Sequence, residues 1–154
     1  MQDVPPRLHA LPLAAWERDG VRAALHKAGL PVDDVTDASV LFWRFETDDI
    51  PVGFGGLRVH GRDAELRAVL TLPPLRHKGF GRAIVTALES EIMLHKCRAI
   101  YLETRTHAEF FARLGYRSCA PAEVPDAIGA SAWFKSRLAA GATAMCKRLP
   151  DRMA

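Results

Sequence analysis

Cysteine is scarce, with only Cys97, Cys119 and Cys146 in 154 residues. They stand far apart in the chain and form no CxxC pair. That spacing argues against a zinc framework and a disulfide scaffold, and it leads us to expect free thiols in a reducing cytoplasm. His9, His26, His60, His95 and His107 also lack metal-ligand spacing, so no metal is expected. No apolar run is long enough to span a bilayer, and no membrane partner is expected. The apolar stretch near the start is broken by Pro5, Pro6 and Pro12, unlike a secretory leader. Charge of one sign is not in excess: 21 Lys and Arg face 18 Asp and Glu, for a net +3. The basic residues are scattered, which leaves no nucleic-acid footprint. Repeats and low-complexity segments are absent.

What is present fits one globular domain over residues 1–154. Apolar residues make up 49% and charged residues 25%, enough to bury a core and solvate a surface. Periodicity predicts a mixed α/β order. A short strand over 7–11 precedes a helix over 12–28, which Gly29 and Pro31 end. Residues 33–38 read as a turn or short helix. Strands follow over 39–46, 50–60 and 64–72, joined by the short turns Thr47-Asp48-Asp49 and Gly61-Arg62-Asp63, which implies an antiparallel meander. Gly53, Gly55 and Gly56 in the second of these strands point to a bulge or a close backbone contact. The clearest helix runs over 79–96, with Phe80, Ile84, Leu88 and Ile92 on one face. A strand over 99–104 completes a strand–helix–strand unit, expected to be parallel and right-handed. A short helix over 107–114, a strand from 116, a helix over 125–138 and a last strand over 142–149 finish the chain. Trp133 and Phe134 read as core packing of the last helix, a homodimer face being the other reading.

One stretch organises the rest. An apolar strand, Leu66-Arg67-Ala68-Val69-Leu70-Thr71, runs into a proline turn. The basic loop Arg76-His77-Lys78-Gly79 then leads into a helix at Phe80-Gly81-Arg82. Helix N-termini present unpaired N–H groups and a partial positive charge, so they attract phosphate. Gly79 and Gly81 let a ligand approach the backbone, and Arg76, His77, Lys78 and Arg82 add charge or donors. A nucleoside-triphosphate P-loop is excluded, because the Gly-Lys-Ser/Thr ending is missing. A dinucleotide fingerprint is excluded because Ile84 stands where its third glycine belongs.

The remaining pattern, Arg76-x-x-Gly79-x-Gly81 after a strand, resembles the pyrophosphate loop of the GCN5-related N-acetyltransferases. A second segment, Phe110-Phe111-Ala112-Arg113-Leu114-Gly115-Tyr116, resembles the aromatic segment that follows the fifth strand in that family. Together with the element order, the resemblance covers most of the chain. A narrower likeness is to the small acetyltransferases named for arsenic-resistance operons. It rests on Leu66-Arg67, the Phe110 to Tyr116 segment, Glu123-Val124-Pro125-Asp126-Ala127-Ile128, Trp133-Phe134 and Ala144-Met145. The chain departs from them at 138–141, which lacks their Cys-Pro pair, and at Glu103-Thr104-Arg105-Thr106.

The resemblance implies a single mixed sheet, antiparallel at first, with parallel strands four and five splayed around acetyl-CoA as cosubstrate. It implies an N-acetyltransferase that moves the acetyl group directly to a small primary amine in a ternary complex. Backbone groups of Val69, Leu70 and Thr71 would pair with the pantetheine arm, as an added strand does, and one N–H would hold the oxyanion. Residues 76–82 would hold the pyrophosphate, and Phe111 would line the cosubstrate. Many members place a tyrosine at Phe111 to protonate the leaving thiolate, so that acid is missing here. This favours, as the alternative, a non-catalytic acyl-CoA-binding module. Tyr116 reads as core. Glu103 and Glu65 are the base candidates, with Glu103 preferred because functional groups gather at the carboxyl ends of strands. The competing reading for each is a solvated strand-end carboxylate. Arg67, a charge inside an apolar strand, is a candidate to hold an acceptor carboxylate, and Thr104 is a second candidate for substrate contact.

Overall fold

A computed structural model describes residues 7–76 and 78–150; the expected phosphate contact of His77 lies outside the described residues. Among the described residues, seven strands form one mixed sheet. They are β1 (His9–Pro12), β2 (Leu41–Thr47), β3 (Ile50–His60), β4 (Asp63–Thr71), β5 (Ala99–Thr104), β6 (Arg117–Ser118) and β7 (Thr143–Arg148), in the spatial order β1-β2-β3-β4-β5-β7-β6. The helices are α1 (Arg18–Lys27), α2 (Phe80–Leu94), α3 (Ala108–Arg113), α4 (Asp126–Gly129) and α5 (Ala132–Ala139). The fold divides into two compact units. One takes the described residues up to Arg58 together with Arg67–Glu91; the other takes Val59–Leu66 and the described residues from Ile92 onward.

In the first unit β1 pairs antiparallel with β2, and β2 with β3, with a register shift between Phe45 and Glu46. Asp48 and Asp49 turn the β2–β3 hairpin with φ of 50° and 62°. Both lie in the left-handed region that a two-residue I′ turn requires and that Asp tolerates better than most residues. Val21 and Leu25 of α1 pack with Val35, Val40, Phe42 and Leu70. The β3 glycines mark close contacts, as the sequence suggested. A Cβ on Gly53 would lie 2.1 Å from the Leu70 carbonyl oxygen and 2.7 Å from Ile84 Cδ1, and one on Gly55 would lie 2.7 Å from Leu88 Cδ1. The bare backbone at these positions therefore leaves room for Ile84 and Leu88 of α2.

In the second unit β4 and β5 run parallel, with Asp63↔Ala99, Ala64↔Ile100 and Glu65↔Tyr101. β7 then pairs antiparallel with β5 on one side and with the two-residue β6 on the other. Val124, Ile128, Phe134 and Ala144 are buried together beneath α4 and α5.

Three local expectations are corrected. Residue 12 does not open a helix: Pro12 ends β1, an edge position where its missing N–H costs no ladder bond. A 3-10 turn, Ala15–Glu17, follows, with Glu17 accepting the Ala14 N–H at 3.2 Å, so α1 begins only at Arg18. The helix expected over 125–138 is two helices. Ser131 adopts an extended backbone, and its Oγ accepts the Phe134 N–H at 3.1 Å, capping α5 afresh. α2 stops at Leu94, and Lys96 takes φ 60° as the chain turns toward β5.

Candidate acyl-CoA site

The end of β4 and the start of α2 build the loop that carries the anion-binding expectation. Val69 and Thr71 are half-buried, whereas the Leu70 side chain is 5% exposed and packs in the α1 core. Leu70 therefore reaches a ligand only through its backbone. Pro73–Leu75 forms one 3-10 turn after β4. Arg76 is exposed, and its Nε donates to the Thr71 carbonyl at 3.4 Å, folding the side chain back over the strand end. Lys78 and Arg82 are also exposed. Gly79 has φ +82°, and a Cβ placed there would meet nothing within 4 Å. Its conformation needs glycine, and the space in front of it is open. Phe80 then starts α2, whose first N–H groups point out of the helix end. Open space, positive φ and three cationic side chains suit an anion of phosphate type.

Arg67 is half-buried, and its charge acts on Asp37. The Asp37 carboxylate accepts the Ser39 hydroxyl at 2.6 Å and the Ser39 N–H at 2.9 Å, and it pairs with Arg58. Those Ser39 bonds first, and the two arginines after them, hold the Asp37 carboxyl below its usual range. Asp37 and Arg58 were not singled out in the sequence, although two arginines in apolar strands were a readable signal.

The two base candidates differ in setting. Glu65 is 2% exposed, which overturns the solvated strand-end reading, and it is the last β4 residue in the parallel ladder with β5. Its Oε1 lies 3.3 Å from His60 Nε2. Glu103 is half-buried on β5, and its Oε2 accepts the Arg137 Nε at 3.0 Å. Thr104 is 7% exposed, and its Oγ1 accepts the His107 N–H at 3.0 Å. That bond fixes the entry to α3, so the threonine oxygen already has a structural task. Neither His60 nor Arg137 was named among the site residues. A histidine at the last position of a strand and an arginine four after a tryptophan give little warning in sequence.

Phe111 is buried on α3, with its ring edge-on to Phe110 (5.0 Å between centroids) and to Tyr116 (5.6 Å). Tyr116 is 3% exposed and packs in the core as expected. All three cysteines carry free thiols, and two of them meet in space. Cys119 follows β6, and its N–H donates to the Ala144 carbonyl at 3.0 Å. β6 therefore brings it beside Cys146 of β7, with which it shares a thiol hydrogen bond. Burial and this neighbour push the Cys119 thiol up to about 12. Among the described residues no group of three or more His, Cys, Asp or Glu is placed to hold a metal ion, and no helix is long and apolar enough to cross a membrane.

Comparison with known proteins agrees with this architecture. The chain is 39% identical over 80 residues to the uncharacterized protein YyaT of Bacillus subtilis (strain 168), a match covering 51% of this chain and 53% of that one. The chain thus spans about half the length of the curated relatives it matches. Among solved structures it superposes on N-acetylglutamate synthase from Neisseria gonorrhoeae, complexed with coenzyme A and N-acetyl-glutamate. The TM-score is 0.76 at 12% identity, over 97% of this chain and 36% of that one. Tetrahymena GCN5 gives the same TM-score, 0.76, at 12% identity over 94% and 98% of the two chains. These likenesses carry the fold. Residues 7–116 match the Acetyltransferase (GNAT) family, and the chain belongs to that family.

Proposed function

We propose that the protein is an acetyl-CoA-dependent N-acetyltransferase of a small, amino-acid-like primary amine, working by direct transfer in a ternary complex. The observation that carries this reading is the loop at the end of β4. There Gly79 opens space beside the α2 N-terminus, with Arg76, Lys78 and Arg82 around it. These residues hold the pyrophosphate, and the backbone of Val69, Leu70 and Thr71 pairs with the pantetheine arm. Phe111 lines the cosubstrate.

Acyl transfer to an amine needs proximity, a neutral nucleophile and a held oxyanion. A β4 N–H near Val69–Thr71 stabilises the oxyanion as the amine nitrogen attacks the thioester carbon. Glu65 takes the proton that the amine must lose. It replaces Glu103 as our preferred base, because the Glu103 carboxylate is held by Arg137. Phe111 has no phenol, so water protonates the departing thiolate. Arg67 holds the acceptor carboxylate by a bidentate contact; Thr104 is the second acceptor contact.

The narrower likeness to the arsenic-resistance-operon acetyltransferases, on Leu66-Arg67, Phe110 to Tyr116 and Trp133-Phe134, belongs to this proposal. So does a cytoplasmic location, which the free thiols support. The absence of a phenol at Phe111 favours one second reading, a module that binds acyl-CoA without turnover.

Calorimetric titration with acetyl-CoA, CoA and 3′-dephospho-CoA tests the site, and thiol release across an amine panel tests the chemistry. Saturable binding that Gly79→Val abolishes, followed by turnover, supports the enzyme. Binding without turnover of any amine selects the binding module. No binding by any of the three ligands overturns both readings.

A further inference from the structure

Glu65 and His60 face each other across the β3–β4 turn. The Glu65 side chain is 3% exposed and the His60 side chain 17%, with 3.3 Å between Oε1 and Nε2. Resting on the reading of Glu65 as base, we propose that His60 is the proton exit of the site: it takes from Glu65 the proton won from the acceptor amine and gives it to water.

A base that is buried must be emptied on every turnover. Glu65 is shut off from solvent at 2% exposure, so the proton cannot leave directly to bulk water. Tyr101, its register partner on β5, is no outlet. Burial, then the nearby Asp63, pushes the Tyr101 phenol up, so it keeps its own proton at neutral pH and offers no basic site. His60 ends β3 and keeps 17% of its side chain exposed while its Nε2 stays beside the carboxylate. Imidazole is the side chain suited to passing a proton near pH 7.

The steps balance. The amine N–H bond breaks as an O–H bond forms on Glu65. That proton moves to Nε2 of neutral His60, which restores the carboxylate beside an imidazolium. The imidazolium then loses a proton to water and both residues are reset. His60 touches Glu65 and not the reacting atoms, so it acts as a positioning and proton-passing residue.

The test compares wild type, His60→Gln, His60→Ala and Glu65→Gln. Thiol release from acetyl-CoA is followed with each of the L-amino acids and with water as the acceptor. Glutamine can still donate a hydrogen bond to Glu65 but cannot carry a proton. Both His60 variants are expected to lose kcat by roughly 10²-fold, the usual scale of general acid–base catalysis, while KM for acetyl-CoA stays within about twofold. Added imidazole is expected to restore turnover to His60→Ala and not to Glu65→Gln. Wild-type kcat in His60→Gln, or no imidazole rescue of a folded His60→Ala, overturns the proton exit while leaving Glu65 as base. A fully active Glu65→Gln overturns the base reading and the exit with it. Failure of wild type to turn over acetyl-CoA with any acceptor, water included, does the same.

Discussion

Arg137 on α5 donates its Nε to Oε2 of Glu103 on β5 at 3.0 Å, so a carboxylate that the sequence offers as a base is held inside an ion pair. The guanidinium also lies 5.9 Å from the centroid of the Trp133 ring, one helical turn earlier. The two side chains are 23% and 10% exposed, which places the pair at the edge of the core. There, a hydrogen bond between charged groups contributes about 1.5–3 kcal/mol.

Arg137→Ala is therefore expected to lower stability by about 2 kcal/mol, read as a shift of the urea midpoint at constant m. Glu103→Gln is expected to keep turnover within about threefold of wild type while Glu65→Gln loses it. A Glu103→Gln enzyme as slow as Glu65→Gln would return Glu103 to the role of base.

The parts that could be read in the sequence were those encoded by local rules. The α2 face shows this well. Ile84, Leu88 and Ile92 recur every four residues and are all fully buried. The β2–β3 and β3–β4 turns were visible as Asp and Gly signals, and Gly79 was marked by the strand–loop–helix context. Long-range pairing was not legible. Nothing near Cys146 says that its strand inserts between β5 and β6, so the antiparallel pairs of β7 were missed, and with them the meeting of Cys119 and Cys146. The burial of Glu65 was illegible on the same grounds. Period-two alternation gives a face, but it does not reveal that a half-buried histidine across the turn lies beside a buried carboxylate.

Ser131 separates α4 from α5 by capping the second helix. Its Oγ accepts the Phe134 N–H at 3.1 Å and donates to the Ile128 carbonyl at 2.8 Å. Ser131→Ala leaves both backbone groups without that oxygen and is expected to cost about 1 kcal/mol, whereas Ser131→Asp retains the cap and costs less. Thermal denaturation of the pair checks this, and equal losses would show that the cap bond contributes nothing.

Gly53 and Gly79 are both glycines for opposite reasons. At Gly53 an added Cβ would sit 2.1 Å from the Leu70 carbonyl oxygen, a backbone atom that cannot step aside. Gly53→Ala is expected to cost more than about 3 kcal/mol. At Gly79 the space is open and only φ +82° opposes a side chain, so Gly79→Ala is expected to cost about 1–2 kcal/mol. Gly79→Ala should then give a folded protein with weakened acetyl-CoA binding, and Gly53→Ala a poorly folded one. The far-ultraviolet dichroism and calorimetry of the two variants decide it. A Gly79→Ala protein that binds as wild type would remove the loop from the site.

Cys119 gives the fold a dependence on alkaline pH. Burial first, and the Cys146 thiol after it, push Cys119 from an ordinary value of 9.0 up to about 12. Between those values the folded protein keeps a proton that the unfolded chain has released. The unfolded state then binds fewer protons, so stability must fall as pH rises. The stabilisation is complete below pH 9 and is lost progressively toward pH 12. Cys119→Ser carries no titrating thiol and is expected to flatten that decline, while the curves of the two proteins run parallel at pH 7–8. Urea midpoints from pH 7 to pH 11 measure it directly. The same proton makes Cys119 a poor nucleophile, because only the thiolate reacts. Its alkylation by iodoacetamide at pH 8 is expected to lag far behind that of the urea-unfolded chain. Equal rates in the two states would mean that the thiol is neither buried nor held by Cys146.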